Sequence, residues 1–181
     1  MSRLARRTAL RAVETDLSPE VAVELLFRRH YAALLRLAWA MLGDREAAED
    51  AVQDSYVSLY RHWDRLRDPQ SAGSYLRSAV INRCRSGVRA LVRDRRLAAL
   101  HDRPLHVVGS DDSAAVREEH ELLGRALRQL PRRQREVVAC RYLLELSVAE
   151  TAETLGISEG AVKTHAHRGL QSLHTALEVT R

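Results

Sequence analysis

Between Ala48 and Arg95 two long runs of helical period follow one another, and their polar faces have opposite sign. The first, AEDAVQDSYVSLYRHW, sets Ala48, Val52, Ser55/Tyr56, Leu59 and Trp63 at the spacing that lays one stripe along an α-helix. Glu49, Asp50, Gln53 and Asp54 fall together on another face. The second, SYLRSAVINRCRSGVRALVRDR, turns Leu76, Val80, Cys84, Val88 and Leu91 to one side, while Arg77, Arg85, Arg89 and Arg93 recur one or two turns apart. Two such helices must bury their apolar stripes against further helices. They then present an acidic surface suited to a protein partner beside a basic one suited to phosphates.

The flanking sequence supplies the missing helices. Ser18 is placed as an N-cap, with Pro19 at the first helical position and Glu20 behind it. The periodic run continues through Val23, Leu26, Phe27, Tyr31, Leu34, Leu35, Ala38 and Met41 to about Leu42. Gly43 ends that helix and Asp44 caps the next, which reaches Trp63 or Leu66. The segment DRLRDPQSAG interrupts the pattern, and a third long helix follows over about 71–93. Aromatic residues make up only 4% of a chain that is 45% hydrophobic, so Leu, Ala and Val fill the interior, a mixture that favours helical bundles over sheets. The expected fold is all-α: two small helical domains over 18–95 and 116–181, joined by a flexible linker over 96–115 that carries Pro104, Gly109 and the polar run Ser110–Ser113. An Arg-rich leader, 1–17, precedes them.

The formal net charge of +5 lies wholly in residues 1–95; residues 96–181 balance to zero. A basic first half points to a polyanionic partner. No apolar run is long enough to span a bilayer and no apolar segment follows the basic leader, so neither membrane insertion nor a secretory signal is expected, and the reading is cytoplasmic. Cys84 and Cys140 belong to no CxxC pair and sit in apolar helical phase, as core thiols do. His165 and His167, two apart, face different sides of a helix. There is no Gly-rich phosphate loop and no metal-ligand spacing, so no cofactor or metal is expected and the chain does not read as an enzyme. A metal or acid–base cluster built on Glu49, Asp50 and Asp54 lacks any His or second carboxylate set beside it.

The carboxyl-terminal stretch SVAETAETLGISEGAVKTHAHRGL has the layout of a helix-turn-helix. Ser147 and Glu150 are spaced as a capping box, Ala152 lets two helices approach, Gly156 permits the sharp turn and Val162 anchors the second helix. Upstream, Leu122, Leu123, Ala126, Leu127 and Leu130 form a stripe that Pro131 ends; a helix from Arg132 to about Leu143 is expected to turn Val137, Val138 and Tyr142 inward. In a recognition helix the early residues meet base edges in the major groove, which gives Ser158, Glu159, Lys163, Thr164, His167 and Arg168 as candidate DNA contacts, with Arg168 better placed for the backbone. The same layout resembles the output domain of response regulators. That alternative, a helix-turn-helix regulator acting without a polymerase-subunit role, also needs an α/β phosphoacceptor half, which residues 1–95 do not read as.

Both blocks together resemble one family. LLFRRHYAALLRLAWAMLGDREAAEDAVQDSYVSLYRHWDRL, SYLRSAVINRCRSGVR and LPRRQREVVACRYLLELSVAETAETLGISEGAVKTHAHRGLQSL are similar to the extracytoplasmic-function sigma factors of bacterial RNA polymerase, in particular the actinobacterial SigE-like group. The resemblance implies a transcription initiation factor with core RNA polymerase and promoter DNA as partners. Its first domain would bind the clamp of the largest subunit and read and melt the −10 element. Its second would read the −35 element and meet the flap of the second-largest subunit. It also implies a possible regulator, an anti-sigma factor. Carried onto this sequence, Glu49, Asp50, Gln53 and Asp54 match the polymerase-binding helix; Asn82 matches the asparagine offered to an exposed base, with Arg77, Arg83, Arg85 and Arg89 holding −10 phosphates. The DRLRDPQSAG loop falls where the family captures a flipped base, with Trp63 either framing that pocket or in the core. Thr151 departs from the apolar residue common in relatives, and Ala161 removes a hydroxyl that others carry.

Overall fold

The computed structural model describes residues 18–66, 68, 71–94 and 114–179, with side chains described except at 88–94, 114–121 and 179. The leader and almost all of the linker read from the sequence lie outside these residues, as do the side chains of Val88, Arg89, Leu91 and Arg93. The ordered elements among the described residues are helical throughout. Three long helices come first: α1 (Pro19–Leu42), α2 (Arg45–Arg61) and α3 (Ala72–Asp94), with a 3-10 turn at Trp63–Arg65 between the last two. Four follow: α4 (Ala114–Gln129), α5 (Arg132–Val138), α6 (Val148–Leu155) and α7 (Glu159–Val179).

The α1–α2 corner is made by two residues. Gly43 adopts the left-handed conformation at φ 72° and its N–H donates to the Trp39 carbonyl at 2.7 Å. Asp44 then accepts from the Ala47 N–H at 2.8 Å and opens α2. At the start of α1, Ser18 stands at the cap position with Pro19 after it, yet its side chain makes no hydrogen bond to the helix backbone. Its hydroxyl serves the Glu20 carboxylate instead. That carboxylate lies below its ordinary pKa, first through a backbone hydrogen bond and then through the hydroxyls of Ser18 and Tyr60. The first three helices close on Leu26, Leu34, Leu37, Val52, Leu59, Leu76, Val80, Ile81 and Cys84, all of them buried. Each large aliphatic in that set contributes roughly 1.5–3 kcal/mol by leaving water. Tyr56 ties α2 to α1 by donating to the Leu26 carbonyl at 3.2 Å. Trp63 is half-buried against this core.

Two aromatic expectations change. Phe27 is 41% exposed rather than buried, stacked on Tyr31 at 4.4 Å with Tyr56 at 5.2 Å. Tyr142, expected inward, is 50% exposed. Its helix does not keep the 3.6-residue period: α5 runs into a π turn at Ala139–Leu143, where the Leu144 N–H reaches back to the Ala139 carbonyl at 3.2 Å. The wider turn rotates the residues after Cys140 out of the phase that placed Tyr142 inside.

The two halves are packed together, and this shows first in α1. From Leu34 to Leu42 it is buried on nearly every side, Arg36 excepted. One side meets α2 and α3. The other enters the second half: Ala40 is in a cluster with Ala126, Leu127, Leu130, Val138 and Leu173. Val137, Cys140, Leu155 and Val162 in turn belong to the same continuous core as Leu34 and Leu76. Gly124 has no Cβ because the Trp39 ring occupies its place, with the ring Cη2 1.7 Å from where a Cβ would stand. The Arg128 guanidinium lies 5.5 Å above the Trp39 ring centroid, and Arg135 donates to the Met41 carbonyl at 3.2 Å.

His30 provides a handle on acid stability. It is half-buried on α1 and its pKa is lowered to about 4, by burial first and then by the Arg29 and Arg77 charges. A histidine depressed below its unfolded value of about 6.5 stabilises the fold fully above that pH, and the contribution is lost as pH falls toward 4. Between pH 7 and pH 5, before carboxylates protonate appreciably, urea denaturation should show a loss of about 1 kcal/mol, the ideal linkage being discounted for partial exposure. His30→Leu should flatten that dependence; a wild-type slope of zero would remove the histidine from the account.

Candidate nucleic-acid interface

The helix-turn-helix is built by local signals. Ser147 accepts from the Glu150 N–H at 3.2 Å while the Glu150 carboxylate accepts from the Ser147 N–H at 2.8 Å, a complete capping box. Gly156 makes the turn at φ 65°. Ser158 caps α7 by accepting from the Ala161 N–H at 3.2 Å. Ala152, Leu155 and Val162 are buried behind the turn. Ser158, Glu159, Lys163, Thr164, His167 and Arg168 are all exposed on the first half of α7. Thr164 lends its hydroxyl hydrogen to the Gly160 carbonyl at 3.0 Å, so its methyl and the oxygen's lone pairs are what it offers a partner.

Thr151, which stands where relatives carry an apolar residue, is fully buried and its Oγ1 has no hydrogen-bond partner among the described residues. An unsatisfied buried hydroxyl costs about 1–3 kcal/mol, so Thr151→Val, equal in shape, should stabilise the chain by roughly 1 kcal/mol in thermal or urea unfolding. A neutral or destabilising result would mean that the hydroxyl finds a partner in solution.

On α2, Asp50, Gln53 and Asp54 are exposed and Glu49 is partly so. Glu49 is bound by Arg45 at 2.7 Å, and Asp54 by Arg83 at 3.0 Å. The Arg83–Asp54 pair joins the acidic helix to the basic one. Asp50, Ala51 and Asp54 of α2 and Asn82, Arg83 and Ser86 of α3 line a shallow cleft between them. The acidic and basic surfaces are therefore contiguous, and Asn82 stands exposed at their boundary.

The arginines of α3 do not form the open face expected of them. Asn82 accepts from Arg85 at 3.2 Å, but Arg85 also sends Nε and Nη2 in a fork onto both oxygens of Glu136, each at 3.0 Å. Its side chain is 14% exposed. Arg77 donates to Ser74 at 2.8 Å, and its Nε is buried without an acceptor among the described residues. Burial lowers the Arg77 pKa while the carboxylates of Glu150 and Glu153 act to raise it, so this cation also faces the second half. The physical reason is that α3 lies against α6 and that Glu136 of α5 reaches Arg85, which turns part of its basic stripe inward. The side chain of Arg89 lies outside the described residues.

Glu136 was not singled out by sequence reasoning, and it is the one buried charge among the described residues. Its side chain is 1% exposed and is gripped by Arg85, Arg132 and Arg133. Burial alone raises its pKa; hydrogen bonds from Arg85 and Arg132 and the charges of Arg85 and Arg133 outweigh that, and the net shift is downward. The signal available in the sequence was a carboxylate opening the apolar run VVAC directly after PRRQR.

Two family descriptions match the chain: Sigma-70 region 2 over residues 26–94, and Sigma-70 region 4 over residues 120–173. The RNA polymerase sigma-E factor of Streptomyces avermitilis is 36% identical over 146 residues, 81% of this chain and 79% of that protein. The ECF RNA polymerase sigma factor SigM of Mycobacterium tuberculosis is 36% identical over 148 residues, 81% of this chain and 72% of that protein. Two solved structures share the fold. CnrH, in complex with the cytosolic domain of CnrY, has a TM-score of 0.70 at 24% identity, covering 90% of this chain and 91% of CnrH. RpoE of Bartonella quintana, in complex with the anti-sigma factor NepR, has a TM-score of 0.68 at 21% identity, covering 85% and 97%. With region 2 carrying the acidic and basic helices and region 4 carrying the helix-turn-helix, this chain belongs to the extracytoplasmic-function sigma factor family of RNA polymerase.

Proposed function

We propose that the protein is a promoter-specificity subunit: it joins core RNA polymerase, reads −10 and −35 elements and supports opening of the duplex at the start site. The observation that carries this reading is the occurrence, in one chain and in this order, of the region 2 and region 4 matches on the two helical units that bear the acidic, basic and groove-facing residues. In it, the exposed carboxylates Asp50 and Asp54, with Gln53 between them and Glu49 beside them, meet basic side chains on the polymerase clamp. Asn82 and the α3 arginines hold the separated −10 strand, the amide donating and accepting at once to an unstacked base. Lys163, Thr164, His167 and Arg168, with Ser158 and Glu159 at the helix start, lie in the −35 major groove.

The division of labour follows from charge. Residues 96–181 are formally neutral, so the second half's own affinity for DNA is low and is raised by tethering through polymerase. Nucleotidyl transfer belongs to polymerase, and this subunit works as a non-catalytic factor. It acts where the polymerase is, in the cytoplasm; among the described residues no helix is long and apolar enough to cross a membrane. An anti-sigma factor, as NepR is to the RpoE it is found in complex with, fits this reading as a further partner. Transcription with purified components tests it. Core polymerase with this protein should start at a fixed site on a promoter from its own genome, with permanganate-reactive thymines near −10. Core alone should not. Binding to DNA without start-site selection would overturn the reading.

A further inference from the structure

Residues 1–13 hold Arg3, Arg6, Arg7 and Arg11 and no carboxylate, a charge of +4 in a chain whose net charge is +5. The two acids of the leader, Glu14 and Asp16, come after them, next to the start of α1. The structure fixes where the leader joins the fold. Ser18 stands at the cap of α1, and one turn on, the Glu20 carboxylate accepts from the Tyr60 hydroxyl at 2.9 Å. Tyr60 is the penultimate residue of α2, three before the Trp63–Arg65 turn that opens the DRLRDPQSAG loop. Arg61 and Arg65 are both exposed there. The leader therefore meets the first half beside that loop, at an edge that already shows two guanidinium groups to solvent.

We propose that the leader is a second DNA-binding element, in which Arg3, Arg6, Arg7 and Arg11 grip backbone phosphates of the duplex flanking the −10 element, continuing the track that Arg61 and Arg65 begin. The proposal rests on the reading of the first half as the −10 domain. Charge decides the partner. The polymerase surface that takes the α2 carboxylates is cationic on that reading, and it repels arginines. DNA places one phosphate charge along every ~1.7 Å of duplex and attracts them. Reach allows it: the seven residues from Arg11 to Ser18 span at most ~25 Å, and the fifteen from Arg3 at most ~50 Å. Guanidinium groups that hold phosphates add affinity without sequence preference. That suits a chain whose residues 96–181 balance to zero.

The test uses the full chain assembled with core polymerase on promoter DNA. Arg3→Gln, Arg6→Gln, Arg7→Gln and Arg11→Gln are combined in one variant, and thermal unfolding checks the fold. Affinity for core polymerase should stay within two-fold of wild type. Affinity of the assembled enzyme for promoter DNA should fall about ten-fold, and the slope of log affinity against log salt should become shallower by about 3. The start site should not move. A tethered iron chelate on Arg7→Cys reads position, since Cys84 and Cys140 are buried and do not take the label. It should cut the DNA within roughly 40 Å of the −10 element, the longest span of residues 7–18. An unchanged salt slope, or cutting only beyond that distance, overturns the proposal. So does tighter binding of the quadruple variant to polymerase, which would put the arginines on the chain's own α2 carboxylates. Wild-type protein that selects no start site refutes the parent reading. Wild-type protein that selects one, with a salt slope equal to that of the quadruple variant, refutes the role of the leader alone.

Discussion

Reversing Asp50 and Asp54 together to arginine should weaken association with core RNA polymerase about a hundred-fold and leave the fold intact. Close charge pairs across protein interfaces couple by roughly 1.5–7 kcal/mol, so two at the low end already exceed the 2.7 kcal/mol that a hundred-fold change needs. The fold loses little. Asp50 is exposed, and Asp54 keeps 65% of its side chain in solvent. The Asp54–Arg83 bridge, exposed on both sides, is worth at most about 1 kcal/mol. An anisotropy titration of labelled protein with core polymerase reads the effect, with thermal unfolding as the check on integrity. Glu24→Arg on α1 is the matched control: it also sits in an exposed bridge, to Arg28 at 2.7 Å, but away from the acidic face of α2. Equal affinity for the double reversal and the control would sink the assignment of α2 to the clamp.

The double reversal also probes the junction between the two surfaces. With the Asp54 carboxylate gone, Arg83 keeps only its bond to the backbone carbonyl of residue 54, and an added positive charge stands beside it. Since Asp50, Asp54, Asn82 and Arg83 share one cleft, the residues proposed to meet polymerase and those proposed to meet −10 DNA are neighbours on α2 and α3. On the proposed reading, a polymerase cation taking the Asp54 carboxylate would release Arg83 toward a phosphate. Affinity loss on reversal should therefore shrink as salt rises, whereas Gln53→Ala, which changes no charge, should be salt-independent.

What could be read from the sequence was whatever is decided within one turn of helix. Gly43 and Asp44 fixed the α1–α2 corner, and Ser147 with Glu150 fixed the start of α6, because caps are contacts between residues three or four apart. The exposed face of α7 was legible for the same reason: Val162 and Lys163 are neighbours whose directions follow from helical period alone. The seam between the halves was not legible. Arg85 meets Glu136, and Met41 meets Arg135, across a linker, and no local pattern pairs them. One trace was there. LRLAWAML in α1 is apolar on nearly every side, and a helix like that must be covered on more than one face. Reading α1 as a one-sided helix left Trp39 and Ala40 unassigned. Tyr142 was misplaced for a different reason, since a π turn leaves no signature in apolar spacing.

Val162→Asp should unfold the helix-turn-helix, while Lys163→Ala, one residue on, should leave the fold unchanged and weaken −35 binding. Val162 is fully buried behind the turn, in the core that also holds Ala152 and Leu155. A carboxylate there has neither water nor a cation of its own. Burying it costs several kcal/mol, a large share of the 5–15 kcal/mol that holds a domain together. Because that core is continuous with the one around Leu34 and Leu76, the damage should reach region 2 and appear as a lower, broader thermal transition over the whole chain. Lys163 lies in solvent, so its truncation should change stability by less than about 0.5 kcal/mol. If its ammonium sits on a −35 phosphate, the slope of log affinity against log salt, measured on polymerase with promoter DNA, should fall by about 1. An unchanged slope would move Lys163 off the backbone. A wild-type melting curve for Val162→Asp would show that α7 does not pack behind its turn as described. The two neighbours thus separate what the helix-turn-helix needs in order to exist from what it needs in order to read DNA.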